Sequence, residues 1–160
     1  MMAIDRTSTL DDPIFLGRAA ERLSDMIEEQ CEVVFRTHGV TIPVKSCSLI
    51  SVLAQLSTGT AAELSRHLDV SHQLVLQKIP KLVRLGLITS APTRDDARKR
   101  AFSVTAEGHR QLRQFQHCRS LILEAYNELF GEVGDLFNLI SKASAALRDR
   151  SLNERIAEQS

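Results

Sequence analysis

Neither sign of charge is in excess in this 160-residue sequence, where twenty lysines and arginines meet twenty aspartates and glutamates. A zero balance supplies no bulk attraction for nucleic acid, which on its face argues against a nucleic-acid binder. Long apolar runs are missing as well. No stretch approaches the length of a membrane span and there is no signal-peptide core, so no membrane association is expected. The three cysteines, Cys31, Cys47 and Cys118, are odd in number and lack a framework spacing. That fits a reducing compartment and a cytoplasmic protein. The sequence also has no glycine-rich phosphate loop, nucleophile elbow or paired-carboxylate arrangement, and so no sign of an enzyme. His117 and Cys118 are adjacent and would point in different directions on a helix. No metal site and no cofactor are expected. Internal repeats and low-complexity segments are absent too.

What remains is an ordinary soluble composition, 43% apolar and 25% charged, at a length natural for one domain with a sizeable core. Its charge is segregated. Glu21, Asp25, Glu28, Glu29 and Glu32 crowd an early helix-forming stretch. Lys78, Lys81, Arg84, Arg94, Arg98, Lys99, Arg100, Arg110 and Arg113 dominate a later one, against Asp95, Asp96 and Glu107. A local basic face is what phosphate contact needs, whatever the total charge.

Residues 60–105 organise the rest. Thr60 with Glu63 three residues on is a capping box for a short helix, with Leu64 and Leu68 on one face. Val70 falls in a tight turn and Ser71 caps a second helix, whose apolar positions are Leu74, Val75, Ile79, Leu82 and Leu85. Gly86 stops it. Leu87, Ile88 and Thr89 read as a strand, residues 92–100 as a polar loop, and Ala101, Phe102, Ser103 and Val104 as a return strand. Two short helices at a tight turn followed by a basic-tipped hairpin form a winged helix-turn-helix. Pro80 inside the second helix removes a backbone hydrogen bond. Either the helix kinks near residues 76–80, or it simply restarts there.

Around this module the periodicity is helical. Asp11, Asp12 and Pro13 start a helix with Leu16, Ala19, Leu23, Met26, Ile27, Gln30 and Val34 on one stripe, ended by Gly39. Residues 46–56 make another, with Leu49, Ile50, Leu53 and Leu56 inward. Thr105 caps a helix carrying Leu112, Phe115, Ile122, Tyr126, Leu129 and Phe130, which Gly131 and Gly134 break. A last helix holds Val133, Leu136, Phe137, Ile140, Ala143 and Leu147, and continues as far as Leu152 and Ile156 in one reading. Residues 1–10 are polar and loose. The fold class expected is mostly α with a small β-hairpin wing.

The order and spacing of several short pieces resemble the multiple-antibiotic-resistance regulator (MarR) family. They are Ala62-Glu63-Leu64, Leu68-Asp69-Val70-Ser71, Leu82 with Gly86-Leu87-Ile88, Asp96-Ala97-Arg98, and Val104-Thr105-Ala106-Glu107-Gly108. More loosely, the likeness covers nearly the whole chain. It implies N- and C-terminal dimerisation helices at 1–43 and 106–160 flanking a DNA-binding module at 44–105, in one intertwined homodimer. It also implies a transcription regulator acting as a repressor on a pseudo-palindromic double-stranded DNA operator, and a small-molecule effector site between dimer helices and DNA module. Some family members use a cysteine instead. Cys31 and Cys118 are the redox candidates, although Glu28, Glu29 and Glu32 surround Cys31 and only Arg119 adjoins Cys118.

The second helix of the module would lie in the major groove. Its outward polar positions are His72, Gln73, Gln77, Lys78 and Lys81. Glutamine pairs bidentately with adenine and lysine reaches guanine, so Gln73, Gln77 and Lys78 are the base-reading candidates. Ser71 serves the helix cap and a phosphate. In the wing, Arg94, Arg98, Lys99 and Arg100 suit the negative potential of a minor groove. By the resemblance, Asp96 orients a guanidinium and Arg98 enters the groove. The alternative reading is a winged-helix module that contacts proteins and not DNA, which the zero net charge favours.

Overall fold

In the computed structural model, residues 12–158 are described. The expectations for residues 1–10 and for Asp11 lie outside them. The chain divides into two compact units, residues 1–118 and 119–160.

In the first unit, the Asp12 carboxylate accepts the Ile14 N–H at 2.8 Å and caps a 3₁₀ turn, Pro13–Phe15. The turn runs into α1, Leu16–Thr37. The expected stripe is only partly inward. Cys31 and Phe35, four apart near the C-terminal end, are the buried positions of α1, while Leu16 and Met26 stay exposed. Phe35 meets Phe115 edge-on, with ring centroids 5.7 Å apart. Gly39, at φ +67°, turns the chain into the buried pair Val40 and Ile42.

α2, Cys47–Leu56, buries Leu49, Ile50 and Leu53. It is followed by a two-residue strand, β1 (Gly59–Thr60), where the sequence suggested only a helix end. Two residues are too short for any alternation to be visible. The capping box then opens α3, Ala61–Leu68. The Thr60 N–H donates to Glu63 Oε2 at 2.7 Å, and the Glu63 N–H donates to Thr60 Oγ1 at 3.3 Å. Asp69 closes α3 in the left-handed region. Ser71 Oγ accepts the Leu74 N–H at 3.1 Å to start α4, His72–Arg84.

α4 buries Val75, Ile79 and Leu82, whereas Leu74 and Leu85, expected inward, are exposed. Positions 75, 79 and 82 are one strict helical row, and the flanking leucines fall off its edges. The helix runs unbroken through exposed Pro80, so it does not restart there. Gly86, at φ +69°, ends it.

β2 (Ile88–Pro92) pairs antiparallel with β3 (Arg100–Val104), Ser90 facing Phe102, and β1 pairs with the other edge of β3. The sheet order is therefore β1-β3-β2. Thr105 fastens the return. Its hydroxyl donates to the Gly86 carbonyl at 2.5 Å and accepts the Gly108 N–H at 3.0 Å, opening α5, Ala106–Val133. Fully buried Gln111 accepts the Thr41 N–H at 2.7 Å, and Gln114 Nε2 donates to the His38 carbonyl at 3.0 Å. Two glutamines thus satisfy the backbone where α1 ends, a role that apolar periodicity cannot signal.

The second unit takes up α5 from Arg119. Tyr126 stacks on Phe130 at 6.1 Å. α5 passes through Gly131 without a break and stops at Gly134, φ +89°. α6 is Leu136–Asp149 and α7 is Leu152–Ala157. They are separate helices, because Arg150 is extended and a second capping box, Ser151 with Glu154, starts α7. Among the described residues, no helix is long and apolar enough to cross a membrane. None of their His, Cys, Asp or Glu groups could hold a metal ion.

Candidate nucleic-acid interface

The buried row of α4 fixes which side chains face outward. His72, Gln73, Gln77 and Lys81 are exposed, as is Ser71 at the cap. Lys78 is different. It is half-buried, and its ammonium donates to the Lys45 carbonyl just before α2. Burial, then the Lys45 charge, lowers its pKa. Lys45 is itself held by α1, with Nζ 2.6 Å from Glu28 and 3.0 Å from Asp25. Hydrogen bonds that its ammonium donates to those carboxylates, Glu28 first, push the Lys45 pKa up to about 12. Lys78 thus stands apart from the other outward residues of α4, tied to the backbone ahead of α2.

The wing tip is a small ordered turn. The Thr93 N–H donates to the Lys99 carbonyl at 2.9 Å, and Thr93 Oγ1 donates to the Asp96 carbonyl at 2.8 Å. Asp96 Oδ1 accepts the Arg98 backbone N–H at 2.9 Å and lies 3.6 Å from Arg98 Nε. Asp96 therefore touches both the backbone and the guanidinium of Arg98, whose side chain is 95% exposed. Arg100 folds back instead, donating to Ser90 Oγ at 2.7 Å and to the Ser90 carbonyl at 3.1 Å. Arg94 and Lys99 are exposed.

Between wing and helix-turn-helix lies an open groove of about 1240 Å³. The N-terminal end of α3, His72 and Leu76 of α4, and Arg94, Asp96, Lys99 and Arg100 of the wing border it. Ser71, Gln73, Gln77, Lys78, Lys81 and Arg98 are outside its lining. Two lining residues escape a search for polar helix positions after the turn. Arg66 of α3 is opposite the buried Leu64, so the same period that buries the leucine turns Arg66 to the groove. Leu76 is apolar, and its place on the outward face appears only once Val75 and Ile79 are seen to be the buried pair.

The cysteines occupy a different environment. Cys31, Cys47 and Cys118 form no disulfide, and all are buried, on α1, α2 and α5. Burial first, then the charges of Cys31 and Cys118, pushes the Cys47 thiol up to about 12. Burial likewise raises Cys118. Both shifts oppose the exposed, low-pKa thiolate that a redox switch requires.

No protein-family model matches the sequence. No curated protein matches it either. Solved structures do. The transcriptional regulator MOSR of M. tuberculosis, in complex with DNA, is 21% identical at a TM-score of 0.62, over 83% of this chain and 96% of that one. The PcaV transcriptional regulator of Streptomyces coelicolor is 17% identical at 0.62, over 83% and 97%. A mutant MarR of E. coli complexed with operator DNA is 14% identical at 0.55, over 88% and 99%. The chain has the MarR-type winged-helix fold.

Proposed function

We propose that the protein is a sequence-specific double-stranded-DNA-binding transcriptional regulator, a homodimeric repressor whose operator affinity is lowered by a small-molecule effector. One observation carries the reading: the solvent face of α4 stands between a capped tight turn and an ordered wing bearing Arg94, Arg98 and Lys99. Arg66, Arg94, Lys99 and Arg100 line the groove that His72 and Leu76 of α4 border. That arrangement answers the zero net charge, because phosphate contact depends on local and not total charge. Two of the structural neighbours described above are complexes with DNA, which supports the same reading.

For a dimer, the exposed apolar side chains speak. Ile14 at the start of the chain's helical part is 78% exposed, and Phe137, Leu139 and Ile140 of α6 are also open. Large exposed apolar groups gathered on helices outside the DNA module suit a subunit interface. An effector acts in such a dimer by binding one arrangement of the two recognition helices better than another.

Titration of a labelled duplex at low and moderate salt tests DNA binding. Contact with about six to ten phosphates weakens affinity by about 10³–10⁵ between about 50 and 200 mM salt. Absence of binding, or binding indifferent to salt, would move the module to protein contact.

A further inference from the structure

Of the two α4 side chains that border the groove, His72 and Leu76, phosphate contact leaves Leu76 unexplained. Leu76 is 46% exposed, yet it lies among Arg66, Arg94, Lys99 and Arg100. It sits one helical turn after His72, on the flank of α4 between the buried Val75 and Ile79 row and the outward face. A lone exposed leucine is unremarkable on most surfaces. Here it borders a groove lined by four cationic and three acidic side chains, next to the positions through which a recognition helix meets base edges. Lys78, the central cation of the same helix, is turned to the Lys45 carbonyl. A nucleic-acid ligand at this spot therefore meets cations along the groove and an apolar side chain at Leu76. Duplex DNA offers one apolar group in the major groove, the C5-methyl of thymine, which distinguishes a T·A pair by apolar contact.

We propose that Leu76 is a specificity-determining residue that selects thymine by packing against its C5-methyl group. The proposal rests on the reading of α4 as the recognition helix. It makes the operator half-site carry a preferred thymine that no hydrogen bond from the protein specifies. His72 and Gln73, on the preceding turn, supply polar contacts on one side of it, and Gln77 on the other.

The test uses the duplex recovered by selection from random DNA, with each thymine of the half-site replaced singly by deoxyuridine, which removes only the methyl group. The full-length protein should bind one such duplex about fourfold more weakly, the worth of burying one methyl-sized group. Leu76→Ala should bind the thymine and deoxyuridine duplexes equally, while a cooperative thermal transition shows that the variant is folded. Equal binding of every deoxyuridine duplex by the unaltered protein would overturn the proposal and leave DNA reading intact. A fourfold loss that persists in Leu76→Ala would assign the methyl contact to another residue and also overturn it. Failure to select any duplex would overturn the recognition-helix reading on which it rests.

Discussion

A single carboxylate oxygen of Asp96 accepts the Arg98 backbone N–H and stands 3.6 Å from the Arg98 guanidinium. The pair is too exposed to stabilise the fold measurably. Its use is positional, because it restricts an otherwise free side chain at the wing tip. Arg98→Ala should therefore weaken binding to all duplexes by a similar factor, since minor-groove and phosphate contacts carry little sequence information. Unchanged affinity in a fluorescence titration would remove the wing tip from the mechanism. Gln73 and Gln77 were legible because helical period alone places them opposite Val75. The engagement of Lys78 by a backbone carbonyl 33 residues away was not, since it is a tertiary hydrogen bond with no local signature.

Among the elements, α3 depends on its capping box. Hydrogen bonds from the Thr60 backbone, then its hydroxyl, lower the Glu63 pKa. A carboxyl depressed in the folded state contributes stability that is present above its unfolded pKa and is lost as pH falls through the folded value. Glu63→Gln keeps the reach-back hydrogen bond and removes the charge. Thermal midpoints should favour the unaltered protein at neutral pH, and the gap should close as pH drops below the ordinary glutamate value of about 4.3. A gap constant with pH would assign the effect to something besides the charge.

Glycines separate two kinds of helix contact. A Cβ on Gly108 would lie 2.1 Å from the Leu87 carbonyl oxygen and 2.6 Å from Val104 Cγ1, where the return of β3 passes α5. Gly108→Ala should cost about 1–3 kcal/mol by overpacking. Gly131→Ala, with nothing within 4 Å, should gain about 0.5–1 kcal/mol of helix stability. Denaturant melts of the two variants check the contrast, and similar effects would contradict the close approach at Gly108. The contrast also explains an error in the sequence reading. Gly131 looked like a break because glycine is a weak helix former, but α5 continues through it, and the stop comes at Gly134, where φ is positive. Conversely, the Ser151–Glu154 box that separates α6 from α7 was written in the sequence in the same form as the box at Thr60, and the apolar periodicity running to Ile156 masked it.

On the scale of the whole molecule, mean periodicity conveyed the helical body and the hairpin, while burial in α1 did not follow the apolar stripe. The stripe from Leu16 to Val34 describes what is apolar, and the first unit buries only Cys31 and Phe35 of that helix. A stripe only partly covered in its own unit, with Leu16, Ala19 and Met26 exposed, is what a partner subunit would use, which ties the mismatch to the proposed homodimer. Two recognition helices related by a twofold axis would enter successive major grooves about 34 Å apart.

Selection of bound sequences from random duplex DNA at physiological salt tests that arrangement most directly. A dimeric DNA reader yields an inverted repeat whose half-sites are centred about one helical turn apart. No enriched sequence, from a preparation that sizes as a dimer, would contradict the assignment of α4 and the wing to DNA.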